Sequence, residues 1–190
     1  MQIVLASSSK YRKKLFQRLN IKFSCYSPDI NEGLNHGLTL EDNVQEIAKK
    51  KAQAVSVLFP EALIIASDQL CAIDDIVMGK PMSFENAFKQ LKQASGKDII
   101  FYTGLVVFNP QSNQYYNYCD QTTVVFRNLT DQEIEHYLVY EQPYDCAGSF
   151  KVESLGVSLF DKIINQDPTA LIGLPLIKLC HILRKNGVLL

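Results

Sequence analysis

Ile3-Val4-Leu5-Ala6-Ser7-Ser8-Ser9-Lys10-Tyr11-Arg12 compresses a strand, a tight turn and a helix start into ten residues. The apolar run Ile3–Ala6 is short enough for a buried strand. Serines then stand where a helix prefers its N-cap, and Leu15, Phe16 and Leu19 recur on one side of the following segment. The same alternation repeats down the chain. Thr39 and Asp42 form a candidate capping box for a helix running to about Leu58, and Ala62–Ala66 is a second buried-strand run, ending at Ser67-Asp68-Gln69. Leu70–Met78 reads as a hairpin turning at Asp74-Asp75. Ser83 and Thr130 are placed to cap two further helices. Ile99–Phe108 and Tyr115–Arg127 read as long strands, Val157–Phe160 as a short one, and Pro175 suits the first turn of a last helix. The order predicts an α/β chain with a parallel opening and later antiparallel strands.

The 190 residues carry 19 Lys+Arg against 20 Asp+Glu, and 47% of them are hydrophobic. That apolar fraction excludes a disordered chain, and the near-neutral balance argues against a nucleic-acid binder working through a broad positive field. No run approaches the roughly 20 apolar residues of a membrane span, and the opening lacks a signal-peptide pattern. Five scattered cysteines with no CxxC pair argue against zinc and a disulfide framework. A cytoplasmic protein with reduced thiols is expected.

Three places carry candidate chemistry. Strand-to-helix turns attract anions through free N–H groups and the helix dipole, and Ser7, Ser8, Ser9, Lys10 and Arg12 add hydroxyls and positive charge there. A plain N-cap beside a solvated basic face explains the same residues. On the second helix Val44, Ile47, Ala48, Ala52 and Val55 make one apolar stripe, and Lys51 falls in its middle. Such a lysine either meets an anion or lets its ammonium snorkel to water. Asp68 ends an apolar run, which aims its carboxylate at the carboxyl edge of a sheet; a loop-capping aspartate is the alternative. Glu32 in a polar loop and Lys80 between Gly79 and Pro81 complete a set of acids and cations suited to a metal–phosphate ligand. His36, His136 and His181 lack metal-ligand spacing, no GxSxG turn is present, and Cys146 reads as a core thiol.

Leu5-Ala6-Ser7-Ser8-Ser9 with Arg12, Lys51-Ala52, Ser67-Asp68-Gln69, Gly79-Lys80-Pro81, Tyr102-Thr103-Gly104 and Ala147-Gly148-Ser149-Phe150 follow the order of the Maf-like nucleotide pyrophosphatases. The likeness runs from Ile3 to Gly173-Leu174-Pro175, nearly the whole chain. Within the family the chain most resembles the 7-methyl-GTP pyrophosphatase branch, through Ser67-Asp68-Gln69 and Cys146-Ala147-Gly148-Ser149-Phe150-Lys151.

The resemblance implies a single domain over residues 1–190, with a mixed β-sheet, helices on both sides and two lobes around a central cleft, Maf/ITPase-like and often dimeric. It implies cleavage of a nucleoside triphosphate to monophosphate and pyrophosphate with a divalent metal cation, Mg2+ or Mn2+. Asp68 corresponds to the family's proton acceptor; Ser7, Arg12, Lys51 and Lys80 match triphosphate-binding positions. Glu32, with Asp68, matches the acids at the metal. Tyr11, Gln69 and Glu153 match the three positions that separate branches by base. Asn31 stands where an aspartate often precedes the glutamate, and Tyr11 where the favoured branch commonly has tryptophan. A non-catalytic nucleotide-binding regulator of division or stress, acting through a protein partner, is the competing class.

Overall fold

The computed structural model describes residues 1–189. Among the described residues, seven strands and five α-helices follow in the order β1 (Ile3–Leu5), α1 (Lys10–Gln17), β2 (Ser24–Cys25), α2 (Leu40–Ser56), β3 (Leu63–Ile73), β4 (Ile76–Met78), α3 (Phe84–Ala94), β5 (Asp98–Asn109), β6 (Gln114–Phe126), α4 (Asp131–Glu141), β7 (Phe160–Ile164) and α5 (Leu176–Lys185). The strands form one mixed sheet in the order β2-β1-β3-β5-β6-β7, with β4 paired to β3. β1 pairs in parallel with β2 and β3, whereas β3–β4 and β6–β7 are antiparallel. The expected mixed α/β fold is therefore present. No helix among the described residues is long and apolar enough to cross a membrane.

The chain divides into two compact units: Met1–Gln69 with Tyr102–Asp120 and Asp167–Leu190, and Leu70–Phe101 with Gln121–Gln166. β3, β5 and β6 contribute residues to both. In the first unit, period-two alternation sends successive strand residues to opposite faces. Ile3, Leu5, Leu63, Ile65, Leu105 and Val107 face α1 and α5, meeting Leu15, Phe16, Leu179 and Leu183. Val4, Ala6, Ile64, Ala66, Val106 and Phe108 face α2, meeting Ala48, Ala52 and Val55. This two-sided cover is why the strands read as continuous apolar runs rather than alternating ones. α2 lies so close to β5 that a Cβ built on Gly104 would sit 2.6 Å from the Val44 carbonyl oxygen.

In the second unit α3 packs against α4 and against the turn Ala147–Ser149. Phe150 anchors an aromatic cluster, with ring centroids 5.4 Å from Phe101, 5.6 Å from Phe126 and 4.7 Å from Phe160, all edge-to-face.

The expected caps form at Ser9, Ser83 and Thr130. Thr39 caps α2 by accepting from the Asp42 N–H, and its hydroxyl donates to the Asp42 carboxylate. Asp42 is one methylene shorter than the glutamate of a complete box. Two expectations need correction. Residues 155–159 form a 3₁₀ turn, and the strand placed over Val157–Phe160 instead occupies Phe160–Ile164. Gly156 N–H bonds back to the Lys151 carbonyl, which curls the backbone away from strand geometry. Asp68 does not end its strand, because β3 continues to Ile73.

The capping box at α4 is complete: Glu133 accepts from the Thr130 N–H at 2.8 Å while Thr130 accepts from the Glu133 N–H. The Thr130 backbone N–H first, then its hydroxyl and Arg127, draw the Glu133 pKa from 4.5 down to about 2. A depressed carboxylate stabilises above its unfolded pKa and loses that contribution as pH falls through its folded pKa. Glu133→Ala should lower stability at pH 7, and its deficit against wild type should shrink as pH falls from 4.5 toward about 2. Urea titrations across that range check this; a deficit independent of pH would remove the carboxylate's charge from the account.

Candidate active site

Lys51 occupies the middle of the buried face of α2, among Ile47, Ala48, Ala52 and Val55, and is itself 6% exposed. Its ammonium does not snorkel. It lies 2.7 Å from Asp68 Oδ1 on β3 and 3.0 Å from Glu32 Oε1 in the loop before α2. Asp68 is 7% exposed, whereas the Glu32 side chain is half-exposed. Asp68 reaches this position from mid-strand because β1 stops at Leu5, opposite Ile65. Beyond that point β3 no longer has β1 beside it, and a carboxylate can face a cation there.

Arg12 joins this group electrostatically. Burial lowers its pKa, and attraction to Asp68 and then Glu32 opposes that shift. Its Nε donates to the Gly173 carbonyl at 2.8 Å, an oxygen that also accepts from the Ser67 hydroxyl at 2.9 Å. Gly173 holds φ at +118°, a conformation open to glycine and strained for other residues. Ser7 is buried in the turn between β1 and α1, and its Oγ accepts from the Ser9 N–H at 3.1 Å. Tyr11, half-buried on α1, already has a cation over its ring, with Lys10 Nζ 5.0 Å from the centroid. Gln69 follows Asp68 on β3. Its Nε2 is within 2.9–3.1 Å of Thr103 Oγ1 and the Ala170 and Leu171 carbonyls.

The structure thus brings Glu32, Lys51 and Asp68 into direct contact, with Arg12 in their field, and places Ser7, Tyr11 and Gln69 in the same unit. Lys80 and Glu153 belong to the second unit and are exposed. The backbone on either side of Lys80 is pinned by α3: Gln90 donates to the Gly79 carbonyl and Asn86 to the Pro81 carbonyl, both at 3.0 Å. Glu153 sits on a loop closed by Glu141, which contacts Lys151 Nζ at 3.3 Å and accepts from the Leu155 N–H at 3.2 Å. Cys146 is half-buried rather than a core thiol.

Sequence reasoning passed over the residues that hold these groups in place. Asn43, 3% exposed, accepts from the Asn35 N–H and donates to the Asn35, Leu38 and Thr39 carbonyls, fixing the end of the loop that carries Glu32. A polar residue on the stripe's own face, four residues before Ile47, was the available signal. Gln90, Asn86 and Glu141 gave none, since polar residues on amphipathic helices are ordinary.

Two carboxylates converging on one ammonium offer oxygen donors that also suit a hard divalent cation. Such a cation takes one or two carboxylates and fills its remaining positions with phosphate oxygens and water. Glu32 and Asp68 fit that donor set. Among the described residues no three His, Cys, Asp or Glu side chains form a metal-sized group.

A family model described as Maf-like protein matches residues 2–186. The chain belongs to the Maf-like family. It is 50% identical over 186 residues to a 7-methyl-GTP pyrophosphatase of Pseudomonas syringae pv. syringae (strain B728a), covering 98% of this chain and 97% of that one. Proteins of the same description from Pseudomonas savastanoi pv. phaseolicola and Pseudomonas syringae pv. tomato are 47% and 48% identical, with the same coverage. Every motif of this Maf-like chain quoted above lies inside the matched span.

Removing the cation between the two acids should be costly. Lys51→Met leaves the buried Asp68 carboxylate without its nearest partner, a loss of about 3 kcal/mol for a broken buried pair. Lys51→Met/Asp68→Leu should recover part of it. Additive losses in a urea double-mutant cycle would mean that the pair is not coupled.

Proposed function

We propose that this chain is a nucleotide pyrophosphatase that hydrolyses 7-methyl-GTP to 7-methyl-GMP and pyrophosphate. The observation that carries the reading is the buried contact of Lys51 with Asp68 and Glu32, in a chain half identical along its length to 7-methyl-GTP pyrophosphatases.

Phosphoanhydride hydrolysis asks the protein to gather negative charge, place a water in line with the leaving group and stabilise charge on the departing phosphate. Lys51 and Arg12 supply fixed positive charge, and Ser7 adds a hydroxyl at the first strand–helix turn. Lys80, on its pinned turn, is assigned to the same triphosphate. A divalent cation held by Glu32 and Asp68 would supply charge neutralisation on the phosphates. Asp68 orients the attacking water and can accept its proton; Lys51, at 2.7 Å, holds that carboxylate in position. A phosphate arriving at Lys51 competes with both acids for the ammonium, so substrate binding can loosen the pair and leave Asp68 facing the water.

The base reading rests on electrostatics. N7-methylation makes the guanine imidazole ring cationic, which favours the electron-rich face of Tyr11 by about 0.5–2 kcal/mol. The guanine N1–H and N2–H₂ donors suit a carboxylate, assigned here to Glu153, with Gln69 taking a remaining polar edge. The odd, scattered cysteines support a cytoplasmic location, and the family likeness supports a single domain and a homodimer. The competing non-catalytic regulator needs the cations but no buried acid beside them.

Incubation of the chain with a nucleotide panel and Mg2+ or Mn2+, scoring pyrophosphate apart from orthophosphate, tests the activity. Pyrophosphate release is expected; orthophosphate alone would mean a phosphatase, and no release a regulator. Asp68→Asn should lose at least about 100-fold in turnover while folding normally. Near-normal turnover would remove Asp68 from the chemistry. Glu153→Gln should lower kcat/KM for 7-methyl-GTP more than for ATP, which lacks the guanine N1–H and N2–H₂ edge, by roughly 1–3 kcal/mol. Tyr11→Ala should lower it for 7-methyl-GTP more than for GTP, whose base is uncharged. Equal losses on every nucleotide would refute base recognition and leave the hydrolysis standing.

A further inference from the structure

The segment 167–176 contributes no side chain to the proposed chemistry, yet its backbone oxygens touch several site residues. The Gly173 carbonyl takes Arg12 Nε and the Ser67 hydroxyl. The Ala170 carbonyl takes Gln69 Nε2 and the Thr103 hydroxyl, each at 3.0 Å, and the Leu171 carbonyl takes Gln69 Nε2 at 3.1 Å. Such a bare run of carbonyls needs something to hold its shape. Asp167, 2% exposed, does so from one end. Its Oδ1 accepts from the Thr169 N–H at 2.9 Å and lies 2.7 Å from the Thr169 hydroxyl; its Oδ2 accepts from the Ile177 N–H at 2.6 Å in the first turn of α5. Thr169 Oγ1 in turn accepts from the Leu176 N–H and lies 2.8 Å from the Leu174 carbonyl. The two side chains therefore tie both ends of the carbonyl run to the start of α5.

The chemistry of the Gln69 contacts is directional. A carbonyl oxygen can only accept, and the Thr103 proton is directed to Ala170, so all three neighbours of Nε2 act as acceptors. Turning the amide over would set Oε1 against two carbonyl oxygens. The loop thus fixes Gln69 with its NH₂ group inward and leaves Oε1 to meet a ligand as an acceptor of N–H donors. Arg12 is constrained likewise: Nε is committed to Gly173, which leaves the terminal nitrogens as the ones able to meet an anion.

We propose that Asp167 and Thr169 are positioning residues that aim Arg12 and Gln69 through the carbonyls of residues 170–173, so that one hydrogen-bonded pair sets both phosphate grip and the polarity with which the base is read. This rests on the phosphate role of Arg12 and the base role of Gln69 in the proposed function.

The test compares wild type, T169S, T169V, Q69A and T169V/Q69A as full-length chains. T169S keeps the hydroxyl and T169V replaces it with a methyl group. The first readout needs no activity: proton exchange of the Gln69 side-chain NH₂ by NMR, assigned by its loss in Q69A. Slow exchange is expected in wild type and T169S, with at least about 10-fold faster exchange in T169V as the amide loses its acceptors. The second readout is pyrophosphate release. T169V should raise KM for both 7-methyl-GTP and ATP, which lacks the guanine N1–H and N2–H₂ donors, and lower the ratio of their kcat/KM values about 10-fold. T169S should stay within about 2-fold of wild type, and T169V should add no further loss of selectivity in Q69A. If T169V does not fold, D167N takes its place with the same expectations. Unchanged Gln69 exchange in the hydroxyl-deleted variant, or a loss of thermal stability with KM and selectivity intact, would overturn the proposal. A wild type that releases no pyrophosphate would overturn the proposed function instead, and the exchange readout would still decide the positioning role.

Discussion

A lysine ammonium cannot stay buried on an apolar helix face without an anion, and in this protein that requirement organises the site. Lys51 points inward from α2, so the neighbouring strand has to present a carboxylate at that height. Asp68 can do so because β1 ends opposite Ile65, three residues earlier along β3. Glu32 comes in from the loop before α2, whose last residues are held by Asn43. The early end of β1 therefore opens the edge of β3, and the buried charge dictates what the opening must contain.

Much of this arrangement was legible in the residues. Continuous apolar runs at Ile3–Ala6 and Ala62–Ala66 announced strands covered on both sides, and Ser9, Ser83 and Thr130 marked helix starts by local chemistry that tertiary packing did not override. Lys51 stood out because 3.6-residue periodicity placed a charge in an apolar stripe, although periodicity could not say whether the ammonium met an anion or turned to solvent. Only the register of α2 against β3 settles that.

Other features had no local signature. The extent of β3 was misread because Asp68 looked like a terminator, whereas a strand may run past an acid when the acid has a buried partner. The strand placed at Val157 moved to Phe160 because hydrogen bonds to the Lys151 carbonyl curl residues 155–159, a contact that hydropathy does not encode. Backbone carbonyls were the largest gap. Ala170, Leu171 and Gly173 touch Arg12, Gln69, Ser67 and Thr103 with atoms that every residue possesses, and no pattern of side chains reveals them.

Those carbonyls also impose an order in time on the site's completion. Arg12 and Gly173 are 161 residues apart in the chain, and Gln69 and Leu171 are 102 apart. A ribosome delivers the N-terminal strands, α1 and α2 long before residue 170 leaves the exit tunnel, so a nascent chain can pair Lys51 with Asp68 while Arg12 and Gln69 still lack their acceptors. Closing such distant contacts is the entropically slow part of folding. Charge is thus gathered early in synthesis, and the aiming of the arginine and the glutamine waits for residues 170–173 to emerge.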